Sequence, residues 1–395
     1  MRITFLMPCY VWAPSGGFRV VYEYANKLAN RGHQVAVVHP RRLKYPPPVD
    51  AANTYRWVRG KAKGLLDYVS KPSIDWQPID RRVRLLFVPS SDPRHIPDGD
   101  AVFATAWHTA RSVLECPPAK GEKFYLIQHY ETWMGPKDLV DATWRFPLHK
   151  VVIAKWLLEL GKGLGCRDLA HIPNAIDHDR YKLKQPIERR ARQVAMMFST
   201  AEFKGSADGI EAIRIARERY PDLRIVFFGT SRSQPWIPEW VTYYRNPPQD
   251  FIINEIYNKS CIFLSPSLSE GWSLPPTEAA ACGCAIVSTD HGGIREYAQS
   301  GVTALLSRPG DPMALAANLC LLLGNEDLRV RLAKAANSFI ARLNWGRSAA
   351  LLEDFITRWV TQRAGMSGQS LLEQENLILP TTPMKAQHPK AGTLR

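Results

Sequence analysis

Short apolar runs alternate along this chain with stretches whose apolar residues recur every three to four positions. The run at 3–7 is followed by Pro14-Ser15-Gly16-Gly17, a turn-rich loop. Val21, Tyr24, Ala25, Leu28 and Ala29 then fall at helical spacing, and Arg31-Gly32-His33 supplies a basic last turn and a glycine stop. The run at 35–38 is continuous, as in strands buried on both faces of a parallel sheet. Similar runs lie at 85–88, 101–104, 124–127 and 151–154. Strands alternating with helices predict a doubly wound α/β sheet.

The alternation breaks at 182–193, which is polar, charged and carries Pro186, and then restarts. Runs at 194–198, 225–228, 261–264 and 285–288 predict a second sheet, with Ile210 and Ile213 on an intervening helix. Residues 351–360 read as a closing amphipathic helix, and from about Gly365 periodicity is lost in a segment rich in Pro, Thr, Gln and Lys. The expected division is a first domain at 1–185, a second at 186–345, a helix at 346–364 returning to the first domain, and a disordered tail at 365–395. In such sheets ligands bind beyond the carboxyl ends of the strands, at loops leading into helices.

Composition narrows the partner. The chain has 395 residues, 45% hydrophobic and 22% charged, enough for two cores. A net charge of +14 implies an anionic partner. No apolar run is long enough for a membrane-spanning helix, and Pro8 interrupts what would otherwise resemble a signal peptide. The seven cysteines match no redox or zinc spacing, so reduced core thiols and a cytoplasmic location are expected. Between residues 41 and 94, twelve Lys or Arg face only five Asp, with Tyr45, Trp57, Tyr68 and Trp76 interleaved. That stretch reads as peripheral contact with an anionic membrane at its inner face, or as a solvated insertion. Nucleic acid is disfavoured, because no nucleic-acid motif accompanies the charge.

The most informative string is Ser265-Pro-Ser-Leu-Ser-Glu-Gly-Trp-Ser-Leu-Pro-Pro-Thr-Glu278. Residues 271–274 form a loop, and Pro275-Pro276 open a helix expected to carry Glu278 in its first turn. Such a helix start offers free N–H groups and a positive dipole end to a diphosphate. Glu278 then suits paired ribose hydroxyls, and Glu270 suits hydroxyls of a second sugar. Taken singly, each glutamate reads better as a dipole partner or turn cap, but loop, prolines and both carboxylates arriving together after a buried strand favour a ligand.

The pattern S-P-S-x-x-E-G-x-x-L-P-x-x-E-A-x-A-x-G resembles the retaining glycosyltransferases of family 4, which have the GT-B architecture: two doubly wound Rossmann-like domains facing a cleft. Gly16-Gly17 with its helix, Ile172-Pro-Asn-Ala-Ile-Asp177 and His291-Gly-Gly-Ile-Arg-Glu296 extend the resemblance to about Arg363. It implies a nucleotide-diphosphate sugar as donor, a saccharide or lipid-linked hydroxyl acceptor, and neither cofactor nor metal. By the same resemblance Glu278 holds the ribose and Glu270 the transferred sugar. Gly271, Trp272, Ser273 and Leu274 contribute backbone N–H groups, while Gly16 and Gly17 allow close approach to the phosphates. Lys204 stabilises the leaving diphosphate, and His129, directly after a strand, reaches the donor sugar. Catalytic roles therefore fall to Glu270, His129 and Lys204. The family's second cation, five positions before the lysine, is replaced here by Ser199, with Arg19, Arg232 and Arg245 as possible substitutes. Glu131, Trp133 and Trp107-His108 are acceptor-pocket candidates. Phe203-Lys204-Gly205-Ser-Ala-Asp-Gly and Phe228-Gly-Thr resemble enzymes building bacterial surface polysaccharides. Two alternatives stand beside this reading: a GT-B nucleotide-sugar epimerase, and a non-catalytic basic polymer- or membrane-binding protein on a GT-B shell.

Overall fold

The computed structural model describes residues 1–46 and 73–365. Two parallel sheets form, each wound outward from its centre. The first has the order β3-β2-β1-β4-β5-β6-β7, with β1 (Arg2–Leu6), β2 (Gln34–Pro40), β3 (Arg84–Val88), β4 (Ala101–Ala104), β5 (Glu122–Ile127), β6 (His149–Val152) and β7 (Leu169–His171). Leu6 is in register with Val38 on one side and Ala104 on the other. The second has the order β10-β9-β8-β11-β12-β13, with β8 (Gln193–Met197), β9 (Arg224–Gly229), β10 (Val241–Arg245), β11 (Ile262–Ser265), β12 (Ala285–Thr289) and β13 (Ala304–Ser307). The α/β class expected from the alternation is confirmed, although β7, β10 and β13 are strands that the apolar runs did not announce.

The apolar runs bury as parallel strands must. Phe5, Phe103 and Phe124 stack across β1, β4 and β5 at 4.9 and 4.7 Å between ring centres. The helix Gly16–Asn30 lays Val20, Val21, Tyr24, Ala25 and Leu28 on that sheet. On the second sheet, the helices Ser206–Arg219 and Pro312–Gly324 bury Ala212, Ile213, Ala216, Leu315 and Leu319 in a separate core.

The last described helix, Trp345–Gly365, crosses back onto the first sheet. Trp345 meets Tyr24 edge-on at 5.3 Å, Phe355 meets Phe124 at 5.9 Å, and Trp359 stacks on His149 at 3.7 Å. Glu353 accepts from His33 at 2.8 Å and also pairs with Arg31. The other crossing, 182–193, is more than a solvated linker. Arg190 is buried and donates to the carbonyls of Tyr257 (3.1 Å) and Ser260 (2.9 Å), and also to that of Cys282.

Other expectations are corrected or fall outside the structure. All seven cysteines are unpaired, but only Cys116, Cys261, Cys282 and Cys284 are buried, so not all are core thiols. In the described part of 41–94, Lys44 pairs with Asp92 and Glu115, Arg82 with Asp80, and Arg94 with Asp92. Residues 47–72, including Trp57 and Tyr68, and the tail beyond 365 lie outside the described residues. Among the described residues no helix is long and apolar enough to cross a membrane.

Trp345 is 4% exposed between the two ends of the chain. Trp345→Ala is expected to cost about 3–5 kcal/mol, as buried Trp truncations do. Urea unfolding would show this as a lower midpoint at unchanged slope. A loss below 1 kcal/mol would mean that the closing helix contributes little to the first domain.

Candidate functional site

Each sheet has one place where strand order reverses, between β1 and β4 in the first and between β8 and β11 in the second. Ligands of doubly wound sheets bind at such reversals. Here the loops leaving them meet across the cleft. Gly16 faces Leu274, which a Cβ on Gly16 would touch at 3.6 Å, and Gly17 accepts through its carbonyl from the Gln128 amide at 3.0 Å. A Cβ on Gly17 would come no closer than 3.5 Å to Gln128, so the protein's own packing does not demand glycine at either position. Gly271 is different: a Cβ there would lie 1.8 Å from the Gln128 carbonyl oxygen. Only glycine allows the two domains to touch backbone to backbone at that point. Beside it, Trp156 of the first domain donates to the Gly271 carbonyl at 3.1 Å. Glu296 of the second domain accepts from the Lys155 backbone N–H at 2.5 Å and pairs with His171 at 3.3 Å.

The loop 271–274 is held from below. Ser273 sits at φ 72°, ψ 94°, a strained conformation for a residue with a side chain. Its carbonyl accepts from the Tyr297 hydroxyl at 2.8 Å and from the Thr277 hydroxyl at 3.0 Å. Trp272 is buried on Tyr297 and donates to Thr277 at 3.1 Å. Its side chain therefore faces the core, and only its backbone remains open to the ligand role expected for it. Between Lys204, Ser265, Ser267, Ser273 and Pro275 there is a cavity of about 10 Å³, room for roughly one water.

Glu270 is 6% exposed at the end of this loop. Its carboxylate accepts from Lys204 Nζ at 2.7 Å and from the Ser267 hydroxyl at 2.9 Å. Burial pushes its pKa up, but Lys204, His291 and His129 outweigh that, leaving it below the usual value. His291 is buried and His129 half-buried with both ring nitrogens out of solvent, and no ring nitrogen of either finds a hydrogen-bond partner among the described residues. Burial lowers both imidazoles from 6.5 to about 4, against the attraction of Glu270, so both are neutral at pH 7. Buried polar atoms without partners are exceptional, and a ligand is one common explanation. Sequence reading singled out His129 but gave His291 no role, although it heads the glycine turn after β12.

Glu278 departs most from expectation. The helix is Leu274–Ala281, which puts Glu278 in its second turn. The reason is that Leu274, not Pro275, is its first residue. The carboxylate lies in a buried polar cluster. Tyr181 donates to one oxygen at 2.9 Å, Tyr257 donates to the other at 2.9 Å, and Arg19 of the first domain pairs with the first. Arg19 also donates to Gln249 Oε1 at 2.8 Å and to the Tyr181 hydroxyl at 2.9 Å. Burial opposes the Arg19 charge, but Tyr181, Glu278 and Tyr257 raise its pKa above the ordinary range. Arg19 thus sits on Glu278 rather than beside Lys204, while Arg232 and Arg245 are exposed. Tyr181, Tyr257 and Gln249 are members of the cluster that carried no signal in the sequence.

The acceptor candidates separate. Trp107 and His108 are buried, and burial lowers His108 to about 4. Glu131 accepts from the Trp107 backbone N–H at 2.8 Å, and burial raises it to about 7. Trp133 is 40% exposed, stacks on Phe203 of the second domain at 4.9 Å and meets His129 edge-on at 4.1 Å. Among the described residues no group of three or more His, Cys, Asp or Glu could hold a metal ion.

Two facing Rossmann-like domains of this kind make up the GT-B architecture. Residues 179–339 match the family described as glycosyl transferases group 1. D-inositol 3-phosphate glycosyltransferase of Nocardia farcinica is 24% identical over 392 residues, covering 86% of this chain and 84% of the relative. The enzyme of the same name from Corynebacterium efficiens is 27% identical over 206 residues, and the match spans about half of each chain, 47%. Among solved structures, Anabaena Alr3699/HepE in complex with UDP-glucose superposes with a TM-score of 0.66 at 14% identity. That superposition covers 91% of this chain and 100% of the other, and it shows a shared fold.

The two histidines give the site a pH signature. Unfolded histidines take up protons near pH 6.5 and these only near 4, so stability is full above 6.5 and falls as pH drops toward 4. For His291→Gln, the difference in unfolding free energy between pH 7 and pH 5 is expected to shrink by about 2 kcal/mol. An unchanged difference would mean that His291 already titrates normally in the folded protein.

Proposed function

We propose that this chain is a retaining glycosyltransferase of family 4 that moves a hexose or deoxyhexose from a nucleotide-diphosphate sugar to a hydroxyl acceptor. The observation that carries the reading is the pairing at the cleft. Two buried carboxylates and two cations, Glu270 with Lys204 and Glu278 with Arg19, lie where the reversals of the two sheets face each other. Such a site suits a ligand with hydroxyls on either side of a diphosphate. Ribose hydroxyls would go to Glu278, and hydroxyls of the transferred sugar to Glu270, His129 and His291. The diphosphate would lie over the N–H groups of residues 271–274, alongside Gly16 and Gly17.

Catalysis is then positioning plus charge stabilisation. Lys204 and the start of the helix Leu274–Ala281 meet the negative charge that grows on the leaving diphosphate. The acceptor attacks from the face the diphosphate leaves, and a phosphate oxygen takes its proton, so the reaction assigns no dedicated base and no metal. Trp133 and Phe203 supply an aromatic wall beside His129 for an acceptor ring. The relatives' name adds a phosphorylated polyol to the saccharide and lipid-linked acceptors, and the chain's positive charge suits an anionic acceptor or membrane surface. An epimerase on the same fold would instead consume donor with no acceptor present.

Two measurements test this. In a thermal-shift panel of UDP, GDP and ADP and their sugars with EDTA present, one nucleotide series is expected to stabilise the protein. A ligand at 100 times its Kd adds about 2.7 kcal/mol. No shift from any series would favour the polymer-binding alternative. With the donor so identified, Lys204→Ala is expected to lower kcat by roughly 10²–10³, as loss of a transition-state donor does. An unchanged kcat would remove Lys204 from the leaving-group role.

A further inference from the structure

We infer that Arg19 is a donor-positioning residue that bars the nucleotide site when it is empty and is handed from Glu278 to the diphosphate when donor binds. This rests on the assignment of Glu278 to the ribose.

The inference starts from acceptor capacity. An ionised carboxylate has about four lone-pair sites. On Glu278 three are taken, by Tyr181 and Arg19 on one oxygen and by Tyr257 on the other. Paired ribose hydroxyls need two, so one of the three donors must leave. Tyr257 is fully buried, and Tyr181 is 4% exposed, in the segment that joins the domains. Both are fixed by packing. Arg19 alone of the three is carried by the helix Gly16–Asn30 of the first domain, whose first residue, Gly16, faces Leu274 across the cleft. It is the donor that opening of the cleft would pull away.

The guanidinium is also incompletely satisfied where it is. Its Nε is buried with no hydrogen-bond partner among the described residues, while the rest of the group is spread over Glu278, Tyr181 and Gln249. Once displaced from Glu278 it becomes a buried cation in need of another anion. The ligand brings one. Arg19 lies in the first turn after Gly16-Gly17, the loop that faces residues 271–274, so a diphosphate there is within reach of a side chain this long. Lys204 is likewise paired, with Glu270. Both cations are thus stored on the carboxylates that the sugars would claim.

A latch of this kind separates nucleoside from nucleotide. A nucleoside must break the Arg19–Glu278 pair and offers nothing in return, whereas a nucleoside diphosphate offers its phosphates. The test is calorimetry with uridine and UDP, and with guanosine and GDP, on the wild type, Arg19→Ala and Gln249→Ala. Arg19→Ala is expected to bind the nucleoside about tenfold tighter and the diphosphate about tenfold weaker than the wild type, the scale of one charge-assisted bond. Gln249→Ala loosens Arg19 without unpairing Glu278, and is expected to tighten nucleoside binding by about twofold. It carries the test if Arg19→Ala does not fold. Nucleoside affinity unchanged or weakened in both variants, while the wild type binds the diphosphate, overturns the latch and leaves the donor site standing. Failure of the wild type to bind either diphosphate overturns both.

Discussion

Two carboxylates held out of water between the domains constrain everything else at this site. Glu270 and Glu278 are each less than a tenth exposed, and a buried charge persists only when paired and hydrogen-bonded. The pairing cations come from different places. Lys204 belongs to the same domain as Glu270, so that pair forms within one rigid body. Arg19 belongs to the opposite domain, so Glu278 has its cation only when the two domains meet, although Tyr181 and Tyr257 also donate to it. The relative placement of the domains and the ionic state of the site are therefore one problem with one solution.

The rest of the interface serves that solution. Gly271 lets the glycine loop press against Gln128 and His129, the Trp156 indole holds its carbonyl, and Glu296 ties the start of the helix Lys155–Gly163. The strained Ser273 is fixed by Tyr297 and Thr277 from beneath. These contacts hold the backbone of the loop in one conformation before any ligand arrives, which is what preorganised charge stabilisation requires. The closing helix strengthens the frame from outside, because it begins in the second domain's sequence and packs on the first domain's sheet.

The architecture was largely legible because strands buried on both faces have no polar positions to hide them. The strands missed are those for which this fails. Leu169–His171 has three residues, none fully buried, and Val241–Arg245 is an edge strand with alternating exposure. Lys204, 66 residues before Glu270, was legible only through the family resemblance, whereas Glu270 and Glu278 were legible as a pattern around one loop, since residues close in sequence stay close in space. Their partners were not. Tyr181, Tyr257 and Arg19 reach Glu278 from three separate segments, with Gln249 from a fourth holding Arg19, and a single tyrosine or arginine in an ordinary helix or loop leaves no local mark. Trp272 was expected to offer its backbone N–H, and that role remains open because Thr277 and Tyr297 turn its ring into the core. The helix register around Glu278 was missed by one residue, because Leu274 enters the helix ahead of the two prolines.

The most direct test of the central claim, that the facing sheet reversals form a nucleotide-sugar site built on Glu270 and Glu278, is a crystal structure with the bound nucleoside diphosphate. The expected density places the ribose hydroxyls on Glu278, the diphosphate over residues 271–274 near Lys204, and Arg19 turned from the carboxylate toward the phosphates. Nucleotide density elsewhere on the protein, with both carboxylates still paired to their cations, would contradict it.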